Sequence, residues 1–199
     1  MYVYLNDQFK KKLKDNQSKM FEMNGQIHIK NNKIAKLTSR KGQLMQPCKD
    51  TCSINYHTHP SDYLTLYPDH PSTADFKYIY NATSVSKEFA CHLVCTPKYI
   101  YSIYYLCRFP LYNIFDFFFL YSRIDNEFKT LSQKYDRSTE EFRQKYMSKF
   151  NELNFHIDRF NWNDDVYIEV PNRCNYNFFI YVVMLIFFIK KYMVYKKWM

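Results

Sequence analysis

Tyr56-His57-Thr58-His59-Pro60 and, further on, Pro71-Ser72-Thr73-Ala74-Asp75 are the stretches from which the rest of this sequence is read. Histidines at i and i+2 of an extended segment project from one face, because strand side chains alternate with a period of two. One cation can then take both imidazoles. Pro71-Ser72-Thr73-Ala74-Asp75 reads as a helix start, with proline just outside, serine as N-cap and the acid in the first turn. A helix end of that kind presents its carboxylate rigidly. His57, His59 and Asp75 supply N and O donors of the type zinc accepts, and three protein ligands leave the fourth tetrahedral position to water, the pattern of a catalytic site. A water activated there needs a base. Glu22, in Phe21-Glu22-Met23-Asn24-Gly25, is the candidate, and it opens an alternating run that extends to Ile29.

Glu22 with Gly25 three residues on, then His57-Thr58-His59-Pro60, then Pro71-Ser72 with Asp75 three beyond the serine, resemble the JAMM (MPN+) metalloprotease family over about residues 1–107. The resemblance implies an α/β fold with an MPN-like central sheet flanked by helices. It also implies zinc-dependent hydrolysis of isopeptide or peptide bonds of a deubiquitinase type, with ubiquitin or ubiquitin-like conjugates as partners. By the same resemblance His57, His59 and Asp75 hold the zinc, Glu22 activates the water and Ser72 helps hold the oxyanion. Family members often work as dimers with an MPN partner, so an oligomer falls within the expectation. The loop from Pro60 to Ser72 is several residues longer than the family norm, which reads either as a substrate-contacting insertion or as a displacement of Asp75. His57-Thr58-His59-Pro60-Ser61-Asp62 also resembles the opening motif of PHP-type phosphoesterases, which use several metals and need further His and acid clusters. A third reading is a non-catalytic MPN-like scaffold that recruits partners.

At 199 residues the chain is long enough for one domain with a sizeable core plus appendages. Aromatic residues make up 20% of it and there are only 2 glycines, so single Tyr or Phe residues carry little signal. The net charge of +9 is largely local. Lys10, Lys11, Lys12 and Lys14 fall on one helix and Lys190, Lys191, Lys196 and Lys197 in the tail, which argues for a solvated face and a tail flank and against a nucleic-acid groove. Met1-Tyr2-Val3-Tyr4 runs directly into polar residues, so no signal peptide and a reducing compartment are expected. Cys48 with Cys52 and Cys91 with Cys95 form two Cys-x-x-x-Cys pairs. These read as buried free thiols, the alternative being a second, structural zinc.

Taken in order, the sequence predicts a strand over Tyr2–Leu5 and a basic helix over Asp7–Lys19 with Phe9, Leu13 and Met20 on one side. A hairpin follows, Glu22–Ile29 and Ile34–Thr38, turning on Lys30-Asn31-Asn32-Lys33, since Asn tolerates positive φ. Next come a strand over Ser53–Thr58 ending on the histidines, a loop whose Tyr63, Leu64, Leu66 and Tyr67 form a candidate substrate wall, and a helix from Ser72 to about Asn81. Strands over Phe89–Thr96 and Tyr99–Leu106 complete the catalytic core at residues 1–107. Residues 108–171 read as a helical hairpin and a last strand that complete the domain. Its first helix spans Ile114–Tyr135, its second starts at a Ser138 capping box and runs through Ile157, and the strand covers Val166–Val170. His28, His70, His92 and His156 read as structural residues without an assigned role. In residues 172–199 the apolar run Phe178–Ile189, flanked by Lys190 and Lys191, reads as a tail helix that anchors the protein to a membrane with the catalytic part facing the cytosol. The alternative for it is a buried or partner-packed helix.

Overall fold

Alternating apolar residues and one tight turn set the frame of the molecule, whose computed structural model describes residues 1–42, 52–60, 69–85, 90–106 and 114–171. The elements in chain order are β1 (Tyr2–Leu5), α1 (Asp7–Gln17), β2 (Met23–Lys30), β3 (Lys33–Leu37), β4 (Arg40–Lys41), β5 (Cys52–Thr58), α2 (Thr73–Val85), β6 (Cys91–Cys95), β7 (Tyr99–Tyr105), α3 (Ile114–Lys134), α4 (Glu140–Glu152), β8 (Phe155–Asn161) and β9 (Val166–Glu169). Among the described residues the fold is mixed α/β with a mostly sheet core and four helices. Its main sheet runs β3-β2-β5-β6-β7-β8, with β4 also paired to β2, and β1 pairs with β9 in a second, two-stranded sheet.

Every pairing is antiparallel except β5 with β6. A parallel pair needs a crossover connection, and α2 lies on that connection. The β2–β3 hairpin turns on Asn31 and Asn32, both at positive φ (52° and 59°), as a two-residue turn matched to strand twist requires.

Strand alternation divides the core in two. One cluster holds Phe9 and Leu13 of α1 with Val3, Leu5, Ile54, Tyr56, Leu93, Val166 and Ile168. The other holds Phe76 and Ile79 of α2, Leu120 and Ile124 of α3, and Phe142, Tyr146 and Phe150 of α4 with Val94, Tyr101, Ile103 and Phe155. The sheet is thus covered on both faces, with α4 of the helical hairpin packed on β8 and α3 on α2.

Three expectations need correction. The second hairpin helix stops at Glu152 instead of continuing through Ile157. Asn154 takes φ 68°, a left-handed residue that ends a helix, and Phe155–Asn161 then pairs with β7 as a strand. The apolar residues at 155 and 157 satisfy either period, and the open edge of β7 decides between them. The N-cap of that helix is Thr139, whose side chain accepts from Phe142 N–H, and not Ser138, which bonds to Asp136. Met20 is 69% exposed, because α1 ends at Gln17 and Met20 lies beyond its apolar face.

Among the described residues no helix is long and apolar enough to cross a membrane. The tail over 172–199, the Tyr63–Tyr67 wall and Cys48 lie outside the described residues. Cys91 and Cys95 are free, buried thiols, each pushed up to about 12 by burial, so they are inert in the folded chain.

Gly25 in β2 is where the sheet and the segment that follows β3 come closest. A Cβ built there would lie 1.9 Å from the Thr38 carbonyl oxygen and 2.6 Å from the Tyr56 ring. The Tyr56 hydroxyl in turn donates to the Thr38 carbonyl at 2.9 Å and meets Ser39 Oγ at 2.6 Å. Backbone on one side and a buried ring on the other leave nothing that yields cheaply. Gly25→Ala is therefore expected to destabilise the fold by about 1–3 kcal/mol through overpacking, read as a lower urea midpoint at unchanged slope.

Candidate metal centre

The parallel pairing Asn55↔His92, Tyr56↔Leu93, His57↔Val94 and Thr58↔Cys95 sets the C-terminal end of β5 in the interior of the sheet. His59 continues this ladder, its N–H donating to Cys95 O at 2.8 Å, while Gln17 Nε2 donates to His59 O at 3.2 Å. The backbone that carries both histidines is therefore held from two sides. As the period of two requires, both rings face the α2 side, with centroids 4.9 Å apart.

Asp75 approaches from the first turn of α2. Its Oδ1 lies 3.3 Å from His57 Nε2 and its Oδ2 3.8 Å from His59 Nε2, so the two imidazoles address different oxygens of one carboxylate. Ser72 N–H and Ser72 Oγ donate to Asp75 Oδ2 at 2.6 and 2.8 Å, and Asp75 N–H returns a bond to Ser72 Oγ at 3.4 Å. This reciprocal cap satisfies helix-end donors and aims the acid. The hydroxyl that the family resemblance puts on an oxyanion is here engaged with Asp75. Asp75 reaches both histidines from the start of α2.

Three side chains clamp the approach to the helix. Tyr101 Oη donates to Asp69 O at 2.7 Å, Tyr146 Oη to Pro71 O at 2.8 Å, and His70 Nδ1 to the same Pro71 O at 2.7 Å. His70 is fully buried among Phe128, Phe142 and Tyr146.

His92, read from the sequence as structural, adjoins the site. Its Nε2 lies 2.9 Å from His57 Nδ1, and the two rings are stacked at 20° with centroids 5.1 Å apart. Tyr78, one turn after Asp75, packs on His92 at 5.2 Å and accepts from the Asn55 amide. His57, Asp75 and His92 form a buried group that could hold a metal ion. The sequence held one signal for His92, a polar residue inside the apolar run Ala90-Cys91-His92-Leu93-Val94, which in a central strand calls for a partner.

Glu22 is half-buried, just before β2. The antiparallel pairing of β2 with β5 ends at Asn24↔His57, two residues after Glu22, and Met23 N–H donates to Thr58 Oγ1 at 3.0 Å. A pocket lined by Asn24, Gly25, Gln26, Thr38, Ser39, Arg40 and Asn55 opens beside His57 on the β2 side, adjacent to the His/Asp group and not enclosing it.

Burial pushes the Asp75 carboxyl up, but the neighbouring His57, His59 and His92 with the Ser72 N–H outweigh it and hold Asp75 below its ordinary value. Burial pushes His92 down to about 3, so its ring is neutral. The chemistry available is thus a dry cluster of imidazole nitrogens facing a carboxylate.

Comparison with protein-family models, with curated proteins and with solved structures yields no match to this chain.

Burial also pushes His70 down to about 4, against the opposing influence of its bond to Pro71 O. Between pH 6.5 and 4 the unfolded chain takes up a proton that the folded chain refuses, so stability declines as pH falls through 6.5 and levels off below 4. The loss amounts to about 3 kcal/mol in all at about 1.4 kcal/mol per pH unit. Urea unfolding of the wild type and His70→Gln between pH 7 and pH 4.5 is expected to show a shallower pH slope in the variant. Equal slopes would remove His70 as the source.

Proposed function

We propose that the chain is a zinc-dependent hydrolase of the JAMM (MPN+) type, cutting an isopeptide or peptide bond in ubiquitin-like conjugates. The observation that carries this reading is the meeting of His57 Nε2 and His59 Nε2 on the two oxygens of Asp75. Zinc–nitrogen and zinc–oxygen bonds of about 2.0–2.2 Å at tetrahedral angles separate neighbouring donor atoms by roughly 3.3–3.5 Å. The separations of 3.3 and 3.8 Å fit an ion drawn in between these donors. The 3.8 Å contact is also too long for a hydrogen bond, so a direct bond does not account for it.

Zinc in such a site supplies a Lewis acid and acidifies water towards a pKa of about 7. His57, His59 and Asp75 would hold it. Glu22 takes a proton from the attacking water and returns it to the leaving nitrogen. Ser72, if its hydroxyl turns from Asp75, helps hold the oxyanion. Phosphoester hydrolysis of the PHP type is less well supported, because the described residues contain only the one His/Asp group that could hold a metal.

A specific observation favours a second reading, the non-catalytic scaffold. His57, His59 and Asp75 are only 5, 2 and 3% exposed, so the described residues close over the histidine pair. Metal stoichiometry separates the two, since a scaffold of this kind takes up little or no zinc.

Zinc-loaded protein is expected to carry one ion per chain and to cleave members of a panel of ubiquitin dimers and ubiquitin-like fusions, with activity lost on chelation. Glu22→Gln is expected to keep the zinc and to lose turnover by a factor of about 10² or more. Undiminished cleavage by that variant would remove Glu22 as the base.

A further inference from the structure

His57 is held from both edges of its ring. On one edge Nε2 faces Asp75 Oδ1 at 3.3 Å, and on the other Nδ1 meets His92 Nε2 at 2.9 Å. A neutral imidazole carries a single N–H, so a ring that offers its Nε2 lone pair to a cation must carry its proton on Nδ1 and needs an acceptor there. His92 Nε2 is in place to accept it.

We propose that His92 is a positioning residue, accepting the Nδ1–H of His57 and thereby fixing the tautomer and ring orientation in which His57 Nε2 points at Asp75. This rests on the metal-site reading above and deepens it. A ligating histidine usually donates its second nitrogen to a carboxylate, a backbone carbonyl or water, and here the acceptor is a neutral imidazole.

Three observations carry the assignment. The first is the 2.9 Å contact of His92 Nε2 with His57 Nδ1, the nitrogen that does not face Asp75 Oδ1. His92 also belongs to the buried His57/Asp75/His92 group whose donor atoms lie within 4.8 Å of one another, so the affinity test below has to separate support of a ligand from ligation itself. The second is rigidity. His92 is fully buried on an interior strand, its Cα paired with Asn55 on one side and Ile103 on the other, and its ring lies between His57 and Tyr78. The third is the other nitrogen, His92 Nδ1, which is buried without a hydrogen-bond partner among the described residues. Packing alone favours an apolar ring at such a place, so an imidazole with one unsatisfied nitrogen points to work done by the other.

The test compares His92→Phe, His92→Asn and His92→Gln with the wild type, each checked for folding by thermal melting. Gln can bring its carbonyl oxygen to about the position of the lost Nε2, whereas Asn reaches only the position of Nδ1. Zinc affinity, measured by competition with a chromophoric chelator, is expected to fall about 10–100-fold in the Phe and Asn variants and to return to within a few-fold of wild type with Gln. Nitrogen-15 spectra of the zinc-loaded protein are expected to show His57 protonated on Nδ1, with that signal lost in the Phe variant.

Wild-type affinity in His92→Phe, or no rescue by Gln, would overturn the proposal. So would full affinity in His59→Ala combined with none in His92→Phe, which would make His92 the ligand. If the zinc-loaded wild type cleaves no amide while the affinity pattern holds, the hydrolase reading fails and the role of His92 stands. A wild type that takes up no zinc overturns both.

Discussion

The single parallel pairing in the main sheet, β5 against β6, is the constraint from which the site follows. Two parallel strands cannot be joined by a hairpin, so the chain must leave the C-terminal end of β5 and return to the N-terminal end of β6. The segment that makes this journey carries α2, and its Asp75 meets the histidines at the end of β5. Antiparallel pairing on the far side of β5 sets the start of β2 beside the same end, with Asn24 opposite His57.

Holding a carboxylate in that interior is electrostatically demanding, since charge removed from water must be compensated locally. Asp75 receives two donors from Ser72 and faces two imidazoles, and α2 begins with its positive end beside the acid. Ser72 in turn depends on the clamp of Tyr101, Tyr146 and His70 on residues 69–71. Tyr146 lies on α4, so the helical hairpin does more than cover the sheet: it stabilises the loop that aims the acid. Glu140 adds to this docking, joining Arg143 of its own helix at 2.9 Å and Arg159 of β8 at 2.7 Å, and these two guanidinium partners hold its carboxyl down to about 2.

Much of this was legible in residue order because the signals are local. Asn31-Asn32 between alternating runs predicts the hairpin, and its positive φ angles are the backbone states that Asn tolerates. Ser72 with Asp75 predicts a helix start because a cap is made within four residues. The His57-Thr58-His59 spacing predicts two rings on one face because strand side chains alternate. Where two periods fit the same residues, local order decided nothing. Phe155 and Ile157 extend a helical stripe as well as they form a strand, and only the free edge of β7 settles them as β8.

His92 marks the same boundary within the site. Taken alone it is a polar residue in an apolar run, and no spacing links it to His57, thirty-five positions earlier. The partnership exists because the register of β5 on β6 sets Asn55 beside His92 and so brings the ring of His57 within 2.9 Å. By itself the sequence determined most of the elements, the Asn31-Asn32 turn, the Ser72 cap and the donors His57, His59 and Asp75, each governed by contacts a few residues apart. The tertiary structure alone decided which of those donors face one another and what stands behind them. Strand order and register are collective outcomes of burying two apolar faces, and no short stretch of sequence contains them.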